Sequence, residues 1–160
     1  MYQKVLVPLD GSDLAECTLQ HVESLVKRGF AGDVTLLNIV KFDIPWAERG
    51  AREPFDMEKM RESLMTASNS YLDKVAARLR SKGIQVTTQA LEANRPARTI
   101  IEYAETQGMD LIVMASHGHS GFKKLLIGNV AFGVLHESIV PVLLIRPESC
   151  RPPQSTSGGT

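Results

Sequence analysis

One stretch decides the fold: residues 111–129 read LIVMASHGHSGFKKLLIGN. Its first four residues are apolar and typical of a buried strand, and a helix is predicted to begin near Asn129. The segment between them contains three glycines, two lysines, two histidines and no acidic residue. A strand, a glycine-containing loop and a helix N-terminus often bind phosphate, because backbone N–H groups and the helix dipole favour an anion. An ordinary strand-to-helix connection has the same pattern, so this segment alone leaves both interpretations open.

The rest of the chain alternates short apolar runs with segments of helical periodicity. This alternation predicts one α/β domain with a mostly parallel sheet and helices on both faces. We expect strands 4–9 and 111–115 in the centre of the sheet because they are the most apolar, and strand 84–91 at an edge because it is more polar. The predicted strands are 4–9, 34–40, 84–91, 111–115 and 142–145, and the predicted helices are 13–29, 57–82, 96–107 and 129–138.

In such sheets ligands bind beyond the carboxyl ends of the strands, where the strand order reverses. If the first and fourth strands are neighbours, the turn after Leu9 and the loop after Met114 face one crevice. Residues 41–56, which include Trp46, form a long connection that is either a contact loop or a loose solvent-exposed loop. Residues 148–160 are rich in proline, serine and glycine, which predicts a disordered tail after a domain at 1–147.

Composition limits the classes of function. The 160 residues include 18 basic and 18 acidic side chains, so the formal net charge is zero. This balance argues against nucleic acid as the main ligand, which would require a clustered cationic excess. No apolar run reaches membrane-spanning length and the N-terminus lacks a signal-peptide pattern, so we expect a cytoplasmic protein without a membrane partner. Cys17 and Cys150 are far apart and are expected to be reduced thiols.

Several side chains could act in the crevice. Asp10 could accept a hydrogen bond from a ribose hydroxyl or a base amine, but aspartate is also favoured in the turn before a helix. Asn129 is predicted as the N-cap of the helix that begins there, and its amide could also donate to a phosphate. His117 and His119 are weak candidates for a metal site, since no cysteine or clear acidic partner is near them. We therefore predict no metal site and identify no catalytic triad.

Three segments together resemble the universal stress protein family, over residues 1 to about 147. They are the opening VPLDGS at 7–12, the strand and loop LIVMASHG at 111–118, and the closing strand PVLLI at 141–145. The resemblance implies a Rossmann-like fold of the adenine nucleotide alpha hydrolase type, with five strands in the order 3-2-1-4-5. It also implies a homodimer through strand 142–145, whose apolar edge would otherwise invite aggregation.

The nucleotide-binding branch of that family has a glycine, two residues, a second glycine, nine residues, a third glycine, and then serine or threonine. Gly118 and Gly128 match the second and third glycines, whereas Ala115 and Asn129 stand at the first-glycine and hydroxyl positions. The resemblance implies that Asp10 and the main chain near Ile39 meet the base and ribose, and that the later segments follow the phosphates. The implied nucleotide-binding residues are Pro8, Asp10, Ile39, Met114, Ala115, Ser116, His117, Gly118, Gly128, Asn129, Val130 and Ala131.

Three functional hypotheses follow. The first is a stress-response or regulatory protein that binds an adenine nucleotide, ATP before AMP, with Mg²⁺ as a candidate companion of ATP. We expect at most slow hydrolysis, because the loop offers no convincing general base or dedicated magnesium ligand. The second is an interaction protein of the same fold that binds no nucleotide and signals to an unidentified protein partner. The third is an adenylating enzyme, but such enzymes require a serine–glycine–glycine loop that Asp10–Asp13 does not provide.

Overall fold

The structure is a computed structural model that describes residues 1–42, 54–117 and 127–146. Within these ranges the chain forms five strands and five helices in alternating order. The strands are β1 (Tyr2–Pro8), β2 (Ala31–Val40), β3 (Val86–Glu92), β4 (Leu111–Ala115) and β5 (Val142–Ile145). The helices are α1 (Asp13–Glu16), α2 (Thr18–Lys27), α3 (Pro54–Arg80), α4 (Pro96–Thr106) and α5 (Asn129–Glu137).

All strand pairs are parallel, and the strands lie in the order β3-β2-β1-β4-β5. This confirms the predicted single-domain α/β fold and its strand order. β1 occupies the centre of the sheet and β4 lies beside it, as their apolar sequences predict. β3 lies at one edge, in agreement with its more polar sequence, and β5 lies at the other.

The alternation of side chains along the central strands divides the core into two layers. Val5 and Val7 of β1 are buried on the face that packs against α1, α2 and α3. Leu6 is buried on the opposite face, where Ile100 of α4 and Val134 of α5 cover it. The sheet is therefore buried on both faces, which explains why its central strands are apolar throughout.

A carboxylate at the amino end of β4 ties that strand to β1. The Asp110 side chain accepts hydrogen bonds from the main-chain N–H groups of Gln3, at 2.6 Å, and Lys4, at 3.0 Å. The Asp110 N–H in turn donates to the Lys4 carbonyl at 3.0 Å. These bonds fix the relative position of β1 and β4 at their amino ends, opposite the carboxyl ends where the crevice lies.

Two expectations about the first helical region are corrected. The predicted helix 13–29 is two helices separated at Cys17, where the Thr18 hydroxyl donates to the Ala15 carbonyl at 2.8 Å. Cys17 is disulfide-bonded rather than a reduced thiol.

Several predictions fall outside the described residues. They are the Trp46 loop, the loop that follows His117 and contains Gly118, and the proline-, serine- and glycine-rich tail at 148–160. Where the chain is described, it contains no helix that is both long enough and apolar enough to span a membrane.

Gly32 marks a close approach between β2 and β1. A β-carbon built on Gly32 would lie 2.6 Å from the main-chain oxygen of Gln3, which cannot move without shifting β1. We expect Gly32→Ala to lower the free energy of unfolding by about 1–3 kcal/mol, because overpacked interiors lose stability on this scale. Urea unfolding measures it. Asp33→Ala, an exposed change in the same strand, is the matched control, and equal stability of the two variants would contradict the prediction.

Candidate functional site

The candidate site lies where the strand order reverses, at the carboxyl ends of β1 and β4. β1 pairs with β4 only at Val5–Leu111 and Leu6–Ile112. The chain then leaves β1 toward α1 on one face of the sheet and leaves β4 toward α5 on the other. A crevice opens between the two departures, and it contains a cavity of about 660 Å³. Cavities of this size accommodate small-molecule ligands.

The structure brings the predicted site residues together. All members of the predicted set that are described line this one cavity. Gly118 lies outside the described residues. The remaining eleven are Pro8, Asp10, Ile39, Met114, Ala115, Ser116, His117, Gly128, Asn129, Val130 and Ala131. Their contacts with a ligand remain predictions.

Asp10 lies at the rim of the cavity, on the turn that follows β1. Its Oδ1 atom accepts hydrogen bonds from the Ser12 N–H, at 3.0 Å, and from the Ser12 hydroxyl, at 2.6 Å. Ser12 is in turn the N-cap of α1, since its Oγ accepts from the Ala15 N–H at 3.1 Å. The turn therefore orients the Asp10 carboxylate. Asp10 both stabilises this turn and lines the cavity.

The main chain at Ile39 faces the crevice because of strand geometry. Peptide groups of a parallel strand alternate between its two neighbours. The Leu37 carbonyl accepts from Leu9 on the β1 side, and the Val40 carbonyl accepts from Ala93 on the β3 side. Ile39 lies two residues after Leu37, so its N–H and carbonyl groups point to the same side of β2 as those of Leu37. β1 has already ended at Pro8. The Ile39 N–H and carbonyl groups therefore point toward the space beyond the end of β1.

The start of α5 differs from the prediction. Gly128, and not Asn129, is the N-cap residue, with an extended backbone and no side-chain capping bond. Gly128 lies close to the chain beyond β4, since its N–H donates to the Ser116 carbonyl at 2.7 Å and a β-carbon built on it would lie 3.3 Å from that oxygen. The first-turn N–H groups of α5 therefore border the cavity without a side-chain cap, which suits an anion.

Ala115 is the last residue of β4 and has strand backbone. Among the described residues only glycines have a positive φ angle, so Ala115 needs no glycine-like conformation. Its methyl group is therefore compatible with the backbone of this segment. The next residue, Ser116, is buried, and its Oγ lies 3.0 Å from Nδ1 of His117.

The sequence-based reasoning missed one wall of the cavity, which α3 supplies. Leu64, Ser68 and Tyr71 lie on one face of α3 at helical spacing and line the cavity. Asn38 of β2 also lines it, and Ile100 of α4 closes the other side. Asn38 is a polar residue near the end of an otherwise apolar strand, and this was the one sign in the sequence of a polar contact here. The spacing of residues could not show which residue of α3 contacts it.

Asn38 links three elements at the base of the cavity. Its Nδ2 donates to the Leu9 carbonyl at 2.6 Å, and its Oδ1 accepts from the Ser68 hydroxyl at 2.6 Å. The turn after β1, the end of β2 and the middle of α3 are thereby joined through one amide. Since Leu9 and Ser68 are buried, water could replace these bonds only poorly.

We expect Asn38→Leu to lower the free energy of unfolding by about 2–4 kcal/mol, because it leaves two buried polar groups unpaired. Adding Ser68→Ala should recover part of that loss, since it removes one of the two orphaned groups. Urea unfolding of the two single variants and the double variant measures the coupling. Asn69→Leu, an exposed change on α3, is the control. If the stability losses of the two single variants simply add in the double variant, the proposed link between Asn38 and Ser68 is contradicted.

These features define a class of protein: a doubly wound α/β domain with a ligand-sized crevice at the switch point of its sheet. The family model that describes the universal stress protein family matches residues 1–146. The chain therefore belongs to the universal stress protein family. This confirms the resemblance that the strand and loop sequences carry.

Individual relatives agree with this assignment. Universal stress protein MJ0531 of Methanocaldococcus jannaschii is 30% identical over 146 residues, which cover 91% of this chain and 83% of that protein. Universal stress protein MJ0577 of the same organism is 29% identical over 91% of this chain and 96% of its own. The solved structure of MJ0577 superposes with a TM-score of 0.76.

A more distant solved structure shares the fold and has a nucleotide bound. It is the Arabidopsis thaliana universal stress protein family protein At3g01520 with AMP bound. That protein is 17% identical, covers 90% of this chain and 91% of its own, and has a TM-score of 0.61.

Proposed function

We propose that this universal stress protein binds an adenine nucleotide, with ATP favoured and AMP next, in the crevice between β1 and β4. The observation that carries the proposal is the single cavity bordered by Asp10, by the main chain at Ile39 and by the uncapped start of α5. These three features suit the base and ribose at one end of the crevice and phosphate at the other. The AMP that is bound to At3g01520 supports the same class of ligand.

The two ends of the cavity differ in electrostatic character. The Asp10 end carries a carboxylate that can accept from hydroxyl or amine groups. The α5 end presents main-chain N–H groups at the positive end of a helix dipole, which stabilises negative charge. Apolar side chains between them, including Met114 and Leu37, can contact a flat base or a sugar. A bound nucleotide would therefore be oriented with its phosphates toward Gly128 and Asn129.

Any hydrolysis is expected to be slow. Within the part of the chain that the structure describes, no group of three or more histidine, cysteine, aspartate or glutamate side chains is arranged to hold a metal ion. If Mg²⁺ accompanies ATP, its ligands would come mainly from phosphate oxygens and water. The proposed role is to sense or carry the nucleotide in the stress response, with at most slow hydrolysis.

Calorimetric titration of nucleotide-free protein tests the proposal with ATP, AMP and adenosine. We expect Gly128→Val to weaken ATP binding by about tenfold and adenosine binding little, because the new side chain displaces the charge-assisted hydrogen-bond donors at the start of α5. Glu137→Val, at the opposite end of the same helix, is the matched control. The absence of measurable binding of any of the three ligands to the parent protein at millimolar concentration would overturn the proposal.

The proposal has a second part: two copies form a homodimer through the free edge of β5. Large apolar side chains are exposed on and beside this edge, with relative exposures of 36% for Leu143, 58% for Phe132 and 84% for Ile139. Among the described residues, β5 pairs with β4 on one side and with no strand on the other. A strand edge flanked by apolar side chains is a site of association, and a second copy offers the same edge.

We expect Leu143→Glu to convert a dimer into a monomer, because the carboxylate would be desolvated at the centre of the interface. Sedimentation equilibrium at micromolar concentration measures the mass. Phe30→Glu is the matched control, since Phe30 is 56% exposed and precedes β2, which β1 and β4 separate from β5. A monomeric parent protein, or a dimeric Leu143→Glu variant, would contradict the expectation.

A further inference from the structure

We propose that Leu64 of α3 packs against one face of the nucleobase and so selects a flat aromatic ring at the nucleoside end of the crevice. The base then lies between α3 and the start of α4. The inference rests on the proposed nucleotide binding and deepens it, because it names the wall that the base contacts. Leu64 belongs neither to the strand ends nor to the glycine pattern of the family.

Two helices border the crevice from opposite faces of the sheet. α3 packs on the face that carries Val5 and Val7, whereas α4 packs on the face that carries Leu6. Leu64 of α3 and Pro96 of α4 nevertheless line the same cavity, because it lies beyond the end of β1, where no strand separates the two helices. A ligand in this part of the crevice therefore has one helix on each side.

The main chain at Ile39 supplies the polar side of this space. Its N–H and carbonyl groups point beyond the end of β1, and Leu64 and Pro96 border the same cavity. A nucleobase has two apolar faces and an edge that carries hydrogen-bond donors and acceptors. Apolar side chains on two sides and a peptide group on a third therefore suit a base better than they suit a sugar or a phosphate.

Leu64 offers apolar surface that a ligand can reach. Its side chain is 40% exposed although it lines the cavity. On the α4 side, Ile100 is almost fully buried, so the half-buried Pro96 supplies the accessible surface there. Covering apolar surface favours binding in proportion to the area that is removed from water. A base that covers Leu64 therefore gains affinity from a side chain that folding leaves in contact with solvent.

Two polar links hold Leu64 in position without a ligand. Three residues earlier, Arg61 donates to both carboxylate oxygens of Glu92 at the end of β3, at 2.7 Å each. Four residues later, the Ser68 hydroxyl donates to Asn38 of β2 at 2.6 Å. Because residues at these spacings share one side of a helix, the two links fix the side of α3 that carries Leu64. A wall that is fixed in advance lowers the conformational cost of binding.

Calorimetric titration of Leu64→Ala with ATP, AMP and adenosine tests the inference. We expect the dissociation constant of each ligand to rise by about three- to tenfold, because the truncation removes apolar surface that the base would cover. The factor should be the same for all three ligands, since they share the base. Leu64→Met keeps a long apolar side chain of similar volume, so its dissociation constants should stay within about twofold of those of the parent.

Met60→Ala is the matched control, since Met60 is also 40% exposed and lies one turn before Leu64 on α3, but does not line the cavity. Unchanged affinities in Leu64→Ala, with nucleotide binding intact in the parent, would overturn this inference and leave the proposed function standing. An equal loss in Met60→Ala, or a loss confined to ATP and AMP, would overturn it in the same way. Failure of the parent to bind any of the three ligands would overturn both proposals.

Discussion

The parallel pairing of β1 with β4 is the constraint on which the rest of the structure depends. It brings two strands that are about a hundred residues apart side by side, and the bonds between Asp110 and the main chain of Gln3 and Lys4 hold their amino ends together. Because the chain continues from β1 and from β4 on opposite faces of the sheet, the two departures separate at the carboxyl ends. The crevice follows from this topology, and so does the position of α5, whose N-cap Gly128 is bonded to Ser116 just beyond β4.

The crevice combines an apolar interior with a small number of fixed polar groups. Met114, Leu37 and Ile100 supply surface that suits a flat, weakly polar ligand. The amide of Asn38 is occupied by Leu9 and Ser68 and serves the architecture, whereas Asp10 and the first-turn N–H groups of α5 border the cavity. This contrast separates groups that hold the walls together from groups that can read a ligand. Such a division is typical of preformed binding sites.

Local sequence patterns predicted most of the elements for physical reasons that are visible in the structure. Uniformly apolar β4 is buried on both faces, and its bounds at Leu111–Ala115 follow directly from that pattern. One error has a tertiary cause. Asn129 has the chemistry of an N-cap, yet the close approach of the chain to Ser116 gives that position to Gly128.

The sequence by itself determined the alternation of strands and helices, the central place of β1 and β4, and the residues that follow each strand. These are properties of neighbouring residues, since burial on two faces and turn chemistry leave a local pattern. Only the tertiary structure decided that α3 forms a wall of the crevice and that Ser68 and Tyr71 face it beside Asn38. Asn38 and Ser68 are thirty residues apart. Their contact arises from the packing of α3 on the sheet. Helical periodicity predicts which face of α3 is buried, but not which residues of the sheet that face contacts.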